Sequence, residues 1–212
     1  MTTSNTGEPI DRRSLRTRSA LRDALIELIT ERGWDDIAVQ DICVRANIGR
    51  STFYLHYPNK DELLQGGFEG LQAELQRQAR TRSDDTSPSI KNTESAEESV
   101  SFLFVPGLIE HAHEQRKLFR GLIGRRSGYV VQQRFREMVI RLITDELPTS
   151  TGSFPREAVA RSLAGAFVEL LSWWIEQRAP LPPKELAALF DQLSWPALKP
   201  KRSLHHVPSV TL

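Results

Sequence analysis

Residues 36–60 read Asp-Ile-Ala-Val-Gln-Asp-Ile-Cys-Val-Arg-Ala-Asn-Ile-Gly-Arg-Ser-Thr-Phe-Tyr-Leu-His-Tyr-Pro-Asn-Lys, and they hold two short helical patterns separated by a tight turn. Val39, Ile42, Cys43 and Ala46 recur at i, i+3, i+4 and i+7, the spacing of one helix face. After a break at residues 47–49, Phe53 and Leu55 supply the apolar positions of a second pattern. Asn47 tolerates the left-handed conformation that closes a helix, and Gly49 is an acceptable N-cap. The spacing predicts a helix-turn-helix. Arg50, Ser51 and Thr52 then fill the first turn of its second helix, where side chains meet base edges in a DNA major groove.

Charge is distributed around this stretch as a nucleic-acid surface would require. The net formal charge is only +1. However, residues 12–22 carry Arg12, Arg13, Arg16, Arg18 and Arg22, and residues 43–60 carry Arg45, Arg50 and Lys60 with no acid. Basic stretches that flank a reading head are suited to phosphates. The intervening Glu27, Glu31, Asp35, Asp36 and Asp41 are acidic. Charged helix surfaces are common, and for Arg22 or Arg32 taken singly that plainer reading suffices.

Along the chain, residues 1–10 read as a disordered arm. A first helix starts after Asp11 and runs to about Arg32 through Leu21, Ala24, Leu25, Leu28 and Ile29, with Gly33 as its stop. Pro58, Asn59 and Glu62 mark the start of a fourth helix with a capping box. Its Gly66-Gly67 pair reads as close helix packing or as a hinge. Residues 81–94 read as a polar loop, and Ser95 with Glu98 opens a helix through Ile109 that Pro106 should kink or break. Further helices follow around Leu118–Ile123, Val131–Leu147, Pro155–Arg178 and Pro183–Trp195. No strand pattern appears, so the expected fold is all-α. The boundaries are residues 1–10 for the arm, 11–60 for the DNA-binding domain, 61–196 for a helical ligand-binding and dimerisation domain, and 197–212 for a flexible tail.

With Asp41-Ile42, Ile48, Thr52-Phe53-Tyr54, His56-Tyr57 and Asn59-Lys60 before Leu63-Leu64, the stretch resembles the DNA-binding domain of TetR/AcrR-family transcriptional regulators. The second half is more loosely similar to the branch containing DhaS-like regulators, through Trp173-Trp174, the proline turn and the short last helix. The resemblance implies a repressor that binds a double-stranded DNA operator as a homodimer. It also implies that the last two long helices, about residues 154–195, form the dimer interface and that a small molecule is the effector. Many members carry Thr or Ser where this chain has Ile37-Ala38, which leaves Asp36 as the expected cap of the second helix.

Each DNA-facing residue has an assigned chemistry. Arg50 is expected as a bidentate donor to guanine, with a solvated surface charge as the alternative, while Ser51 and Thr52 are expected at phosphate or water-mediated contacts. Gln40 can touch a base edge. Tyr54 contacts a phosphate or a thymine methyl in the role that the resemblance implies. Phe53 and Tyr57 read as core, with the Tyr57 hydroxyl in reach of a phosphate, and Lys60 is the expected phosphate contact. Phe104, Phe119, Phe135, Met138, Phe167 and Trp174 are candidate pocket residues, although aromatic residues at helical spacing more often build a core. Arg125, Arg126 and Arg134 suit an anionic effector or a solvated face.

An enzyme reading lacks a phosphate-binding glycine loop, a nucleophile motif and a metal cluster; His111 and His113 fall on different helix faces. No cofactor or metal is expected. The other alternative is a C-terminal domain that binds a protein instead of a small ligand. Pro106, Gly165 and Glu169 interrupt the longest apolar runs, so no membrane span is expected. A polar N-terminus and a single cysteine, Cys43, suit the cytoplasm.

Overall fold

The structure, a computed structural model, describes residues 12–85, 102–123, 128–148, 154–178 and 180–198. Among the described residues are nine helices and no strand: α1 (Arg12–Arg32), α2 (Val39–Ala46), α3 (Arg50–His56), α4 (Lys60–Asp85), α5 (Phe104–Glu114), α6 (Arg116–Ile123), α7 (Tyr129–Glu146), α8 (Arg156–Glu176) and α9 (Pro183–Leu198). The expected arm, the Ser95/Glu98 capping box, Arg125 with Arg126, and the tail beyond residue 198 lie outside the described residues. The chain divides into two compact units, Met1–Leu71 with Lys117–Arg134 and Gln72–Arg116 with Phe135–Leu212.

The first unit is built as its periodicity requires. Leu21, Leu25, Leu28 and Ile29 of α1 are buried with Ile42 and Cys43 of α2, Phe53 of α3, and Leu63, Leu64 and Phe68 of α4. Gly33 ends α1 at φ 83°, its N–H bonded to the Ile29 carbonyl at 3.0 Å. Glycine also permits a close approach at Gly121, where a Cβ would meet the Ile29 carbonyl at 3.3 Å. The Gly66-Gly67 pair is under no such demand. A Cβ at Gly66 would lie 3.5 Å from the Tyr57 ring, and one at Gly67 3.8 Å from Arg22, both ordinary contacts.

Three expectations about helix ends are corrected. Asp36 does not cap α2; the carboxylate of Asp41, one turn inside, accepts the Ala38 N–H at 2.8 Å. An acid at that position completes half of a capping box even when the N-cap has no side-chain acceptor. The polar segment from residue 81 continues α4 to Asp85, with the Thr81 hydroxyl bonded to the Arg77 carbonyl. Pro106 does not kink a helix but lies in the first turn of α5, where the missing N–H has no intrahelical partner to lose.

In the second unit α5, α8 and α9 pack together. Phe104, Phe167 and Phe190 form its aromatic centre, with ring centroids 6.0 Å apart for the first pair and 4.9 Å for the second. Helix α8 is long and apolar enough to cross a membrane by length and composition alone, contrary to the expectation from Gly165 and Glu169. Val159, Leu163, Phe167, Leu171, Trp174 and Ile175 use that apolar surface inside the unit.

Hydrogen-bonded carboxylates give the two units opposite pH responses. Glu146 at the end of α7 accepts the Leu103 N–H at 2.6 Å and the Phe104 N–H at 3.2 Å, so it caps α5. Burial pushes its carboxyl up, and these two N–H groups pull it only partly back. The folded state therefore binds this proton more tightly than the unfolded chain, and its contribution to stability is lost as pH rises above ~4.3 through the raised value. In the first unit the Ala38 N–H, and then Arg32, hold Asp41 below the usual range; Arg45 does the same to Glu31. Their stability is present above ~4 and is lost as pH falls through the lowered values. Thermal unfolding from pH 3 to 7 is expected to show Glu146→Gln flattening the loss at the upper end. Asp41→Asn is expected to flatten the loss at the acid end.

Candidate nucleic-acid interface

Helices α2 and α3 are joined by a Schellman closure. The Ile48 N–H reaches the Cys43 carbonyl at 2.9 Å, the Asn47 N–H reaches Val44 at 3.2 Å, and Asn47 itself adopts φ 54° and ψ 45°. Asn47 is the one non-glycine residue with positive φ among the described residues. Gly49 then starts α3 as an extended N-cap, its carbonyl accepting the Phe53 N–H at 3.0 Å. At the far end Tyr57 is extended, as a residue before proline must be, and the Asn59 side chain caps α4 by accepting the Glu62 N–H at 2.8 Å.

This scaffold decides which side chains face outward. Phe53 is fully buried, with Tyr54 edge-on to it at 5.4 Å. Arg50, Ser51 and Tyr54 are exposed, and Thr52 and Tyr57 are half-buried. Gln40 and Arg50 line one shallow groove of about 410 Å³ with Val44, Asn47 and Ile48. The Cys43 thiol at its base is pushed up by burial, a shift that the nearby Arg50 charge partly opposes. It is therefore a packing group and not a reactive one.

Three further cations of the head, Arg32, Arg45 and Lys60, are engaged internally. Arg45 bonds Glu31 at 2.7 Å and Glu27 at 3.0 Å, and Arg32 bonds Asp41 at 2.9 Å, so both fasten α2 to α1. Lys60 was expected at a phosphate. Its ammonium instead donates to the carbonyls of Ile37 at 2.8 Å and Trp34 at 3.0 Å, and lies 4.4 Å from the Trp34 ring centroid. The physical reason is that the start of α4 brings this ammonium beside the α1–α2 connection, whose carbonyls lack helical partners. Arg50 has no ion pair with any described residue.

Leu55 is the residue that sequence reasoning placed on the wrong side. It is 82% exposed, and Val44 is 69% exposed. Two residues at 100° each carry Leu55 some 200° around the helix from Phe53, which is the signal that could have found it.

The candidate pocket residues are all interior. Phe104, Phe135, Met138, Phe167 and Trp174 are buried in the second unit, while Phe119 is buried in the first. Trp174 is held by its indole N–H to the Leu181 carbonyl at 2.7 Å. Arg116 lies 5.7 Å from its ring and donates to the Ile175 carbonyl at 2.6 Å, closing the end of α8. His113 lies against the same indole at 5.8 Å. Among the described residues no group of histidine, cysteine or carboxylate side chains is arranged to hold a metal.

A seven-residue second helix that buries one aromatic ring and turns Arg50, Ser51 and Tyr54 outward has the geometry of the reading helix of a helix-turn-helix. The model for bacterial regulatory proteins of the tetR family matches residues 21–66, and a model for a transcriptional regulator C-terminal region matches residues 104–194. The chain belongs to the TetR family. YxbF of Bacillus subtilis (strain 168), an uncharacterized HTH-type transcriptional regulator, is 40% identical over 88 residues, which are 41% of this chain and 23% of that relative's length. MftR of Mycobacterium tuberculosis is 22% identical over 189 residues, 86% of this chain and 91% of that one. The structure of a TetR transcriptional regulator from Streptococcus agalactiae 2603V superposes with a TM-score of 0.60 at 25% identity, covering 87% of this chain and 96% of that one.

Proposed function

We propose that the protein is a homodimeric repressor whose two heads read the half-sites of a near-palindromic operator, and that a small molecule entering the second unit releases it. The observation that carries this reading is Arg50. It stands exposed beside Ser51, Tyr54 and Gln40, while Arg32, Arg45 and Lys60 are engaged inside the head. A guanidinium placed so can donate to both O6 and N7 of a guanine. Ser51, Thr52 and Tyr54 take the adjoining backbone or water-mediated contacts, with Tyr57 at the half-buried edge.

Residues 61–196 serve regulation and dimerisation in this reading. Helices α8 and α9 pack together yet leave Trp173 45% and Leu193 60% exposed. A Cβ added to Gly165 of α8 would meet nothing within 4 Å among the described residues, so none of their contacts calls for a glycine there. A second copy laid against this surface would cover all three. An apolar effector would insert among Phe104, Phe135, Met138 and Phe167, with a coupling to DNA binding of ~1–3 kcal/mol. The regulator works where the chromosome lies, in the cytoplasm, and needs no cofactor.

The test is binding to the DNA upstream of the protein's own gene over a salt series. The expected result is a salt-sensitive complex of two protomers per site. Arg50→Ala should weaken it by about 5- to 150-fold, equivalent to ~1–3 kcal/mol, and relax the preference for guanine at one position per half-site. Binding no tighter than to random DNA of the same length would overturn the autoregulatory reading. Arg50→Ala without effect on a specific complex would overturn the role of Arg50.

A further inference from the structure

Beyond Arg50, the face of α3 opposite its buried ring has its own chemistry. Ser51 and Leu55 lie four residues apart, at about 160° and 200° from Phe53 on the helix, so they project furthest from the core. Leu55 is the most exposed large apolar side chain among the described residues, at 82%. A single exposed leucine on a protein surface is ordinary. At the outermost position of a reading helix, however, it is the side chain that enters a DNA groove first.

A leucine has no donor or acceptor. Pressed against cytosine N4 or guanine O6 it would strip water from a polar edge and replace nothing, which costs binding. The major groove offers one apolar feature, the C5-methyl group of thymine. Tyr54 beside it is held edge-on to Phe53, so its ring is fixed relative to the core and leaves the outermost position to Leu55. The short Ser51 side chain four residues earlier leaves room for a methyl group to approach.

We propose that Leu55 is a specificity-determining residue that reads a thymine methyl, so that each operator half-site carries an A·T pair with its thymine beneath Leu55. This rests on the DNA-binding reading above. It adds a base position that Arg50 does not supply.

The experiment replaces single thymines of a bound operator by deoxyuridine, one position per half-site at a time, which removes the methyl and keeps the base pair. Wild-type protein is expected to lose about fourfold per half-site at one position, the worth of one buried carbon, and to be indifferent elsewhere. Leu55→Ala should bind the thymine operator more weakly and show no further loss with deoxyuridine at that position. Because Leu55 is exposed, its thermal unfolding should match wild type. Two outcomes overturn the proposal while leaving the operator reading intact: no deoxyuridine position weakens the wild-type complex, or the penalty survives in Leu55→Ala, which would pass the methyl contact to Tyr54. Absence of any specific complex overturns both together.

Discussion

Replacing Phe53 by alanine is expected to destabilise the head by about 3–5 kcal/mol and to abolish DNA binding, the largest effect of any single change in α3. The ring is fully buried and packs edge-on against Tyr54 and at 6.1 Å against Tyr57. A seven-residue helix is too short to be stable by itself, so burial of its one core ring is what holds it in place. Phe53→Leu, which keeps most of the volume, should cost less than about 1.5 kcal/mol. Leu55→Ala, two residues on, should stay within about 0.5 kcal/mol of wild type. Chemical denaturation of the three variants, followed by circular dichroism, separates these values. Equal losses for Phe53→Ala and Leu55→Ala would mean that the helix is rotated relative to the packing described above.

The second large effect is expected at Lys60. Methionine keeps the apolar stem against Trp34 but removes the ammonium, leaving the Ile37 carbonyl without this donor and the Trp34 carbonyl with the Ile37 N–H alone. Charge-assisted hydrogen bonds of this kind are worth roughly 1.5–3 kcal/mol each, and partial exposure holds the pair below their simple sum, at about 2–3 kcal/mol. DNA binding should weaken as the α1–α2 connection loosens from the start of α4. The slope of log K against log salt should not change, because no phosphate contact is lost. A slope shallower by about one would return Lys60 to the phosphate role first expected for it. The salt series therefore decides between an internal clasp and a backbone contact, which a loss of affinity alone would leave open.

Both predictions bear on what could be read from the chain alone. Nearest-neighbour chemistry was legible: Asn47 and Gly49 specify the turn, Pro58 and Asn59 the start of α4, and the 3.6-residue stripes the buried faces of α1, α4, α7 and α8. These are local rules, set by backbone sterics and by spacing along one helix, and the structure meets them at the Schellman closure and the Asn59 cap. Trp174 in the core beside an exposed Trp173 follows from the same 100° rotation.

What the sequence by itself determined was therefore an all-helical regulator with a helix-turn-helix within residues 36–60, and the helix faces that the longer apolar stripes bury. Only the tertiary structure decided what each charge does. Arg45, Arg50 and Lys60 look alike in sequence, but two of them meet acids or carbonyls supplied from 14 to 26 positions away and one meets none. Such pairings are long-range, so no pattern within a single helix encodes them. The same holds for the cap of α5, which comes from Glu146 more than forty residues later. A cation's chemistry belongs to its side chain, while its availability to DNA depends on which distant groups the fold brings beside it.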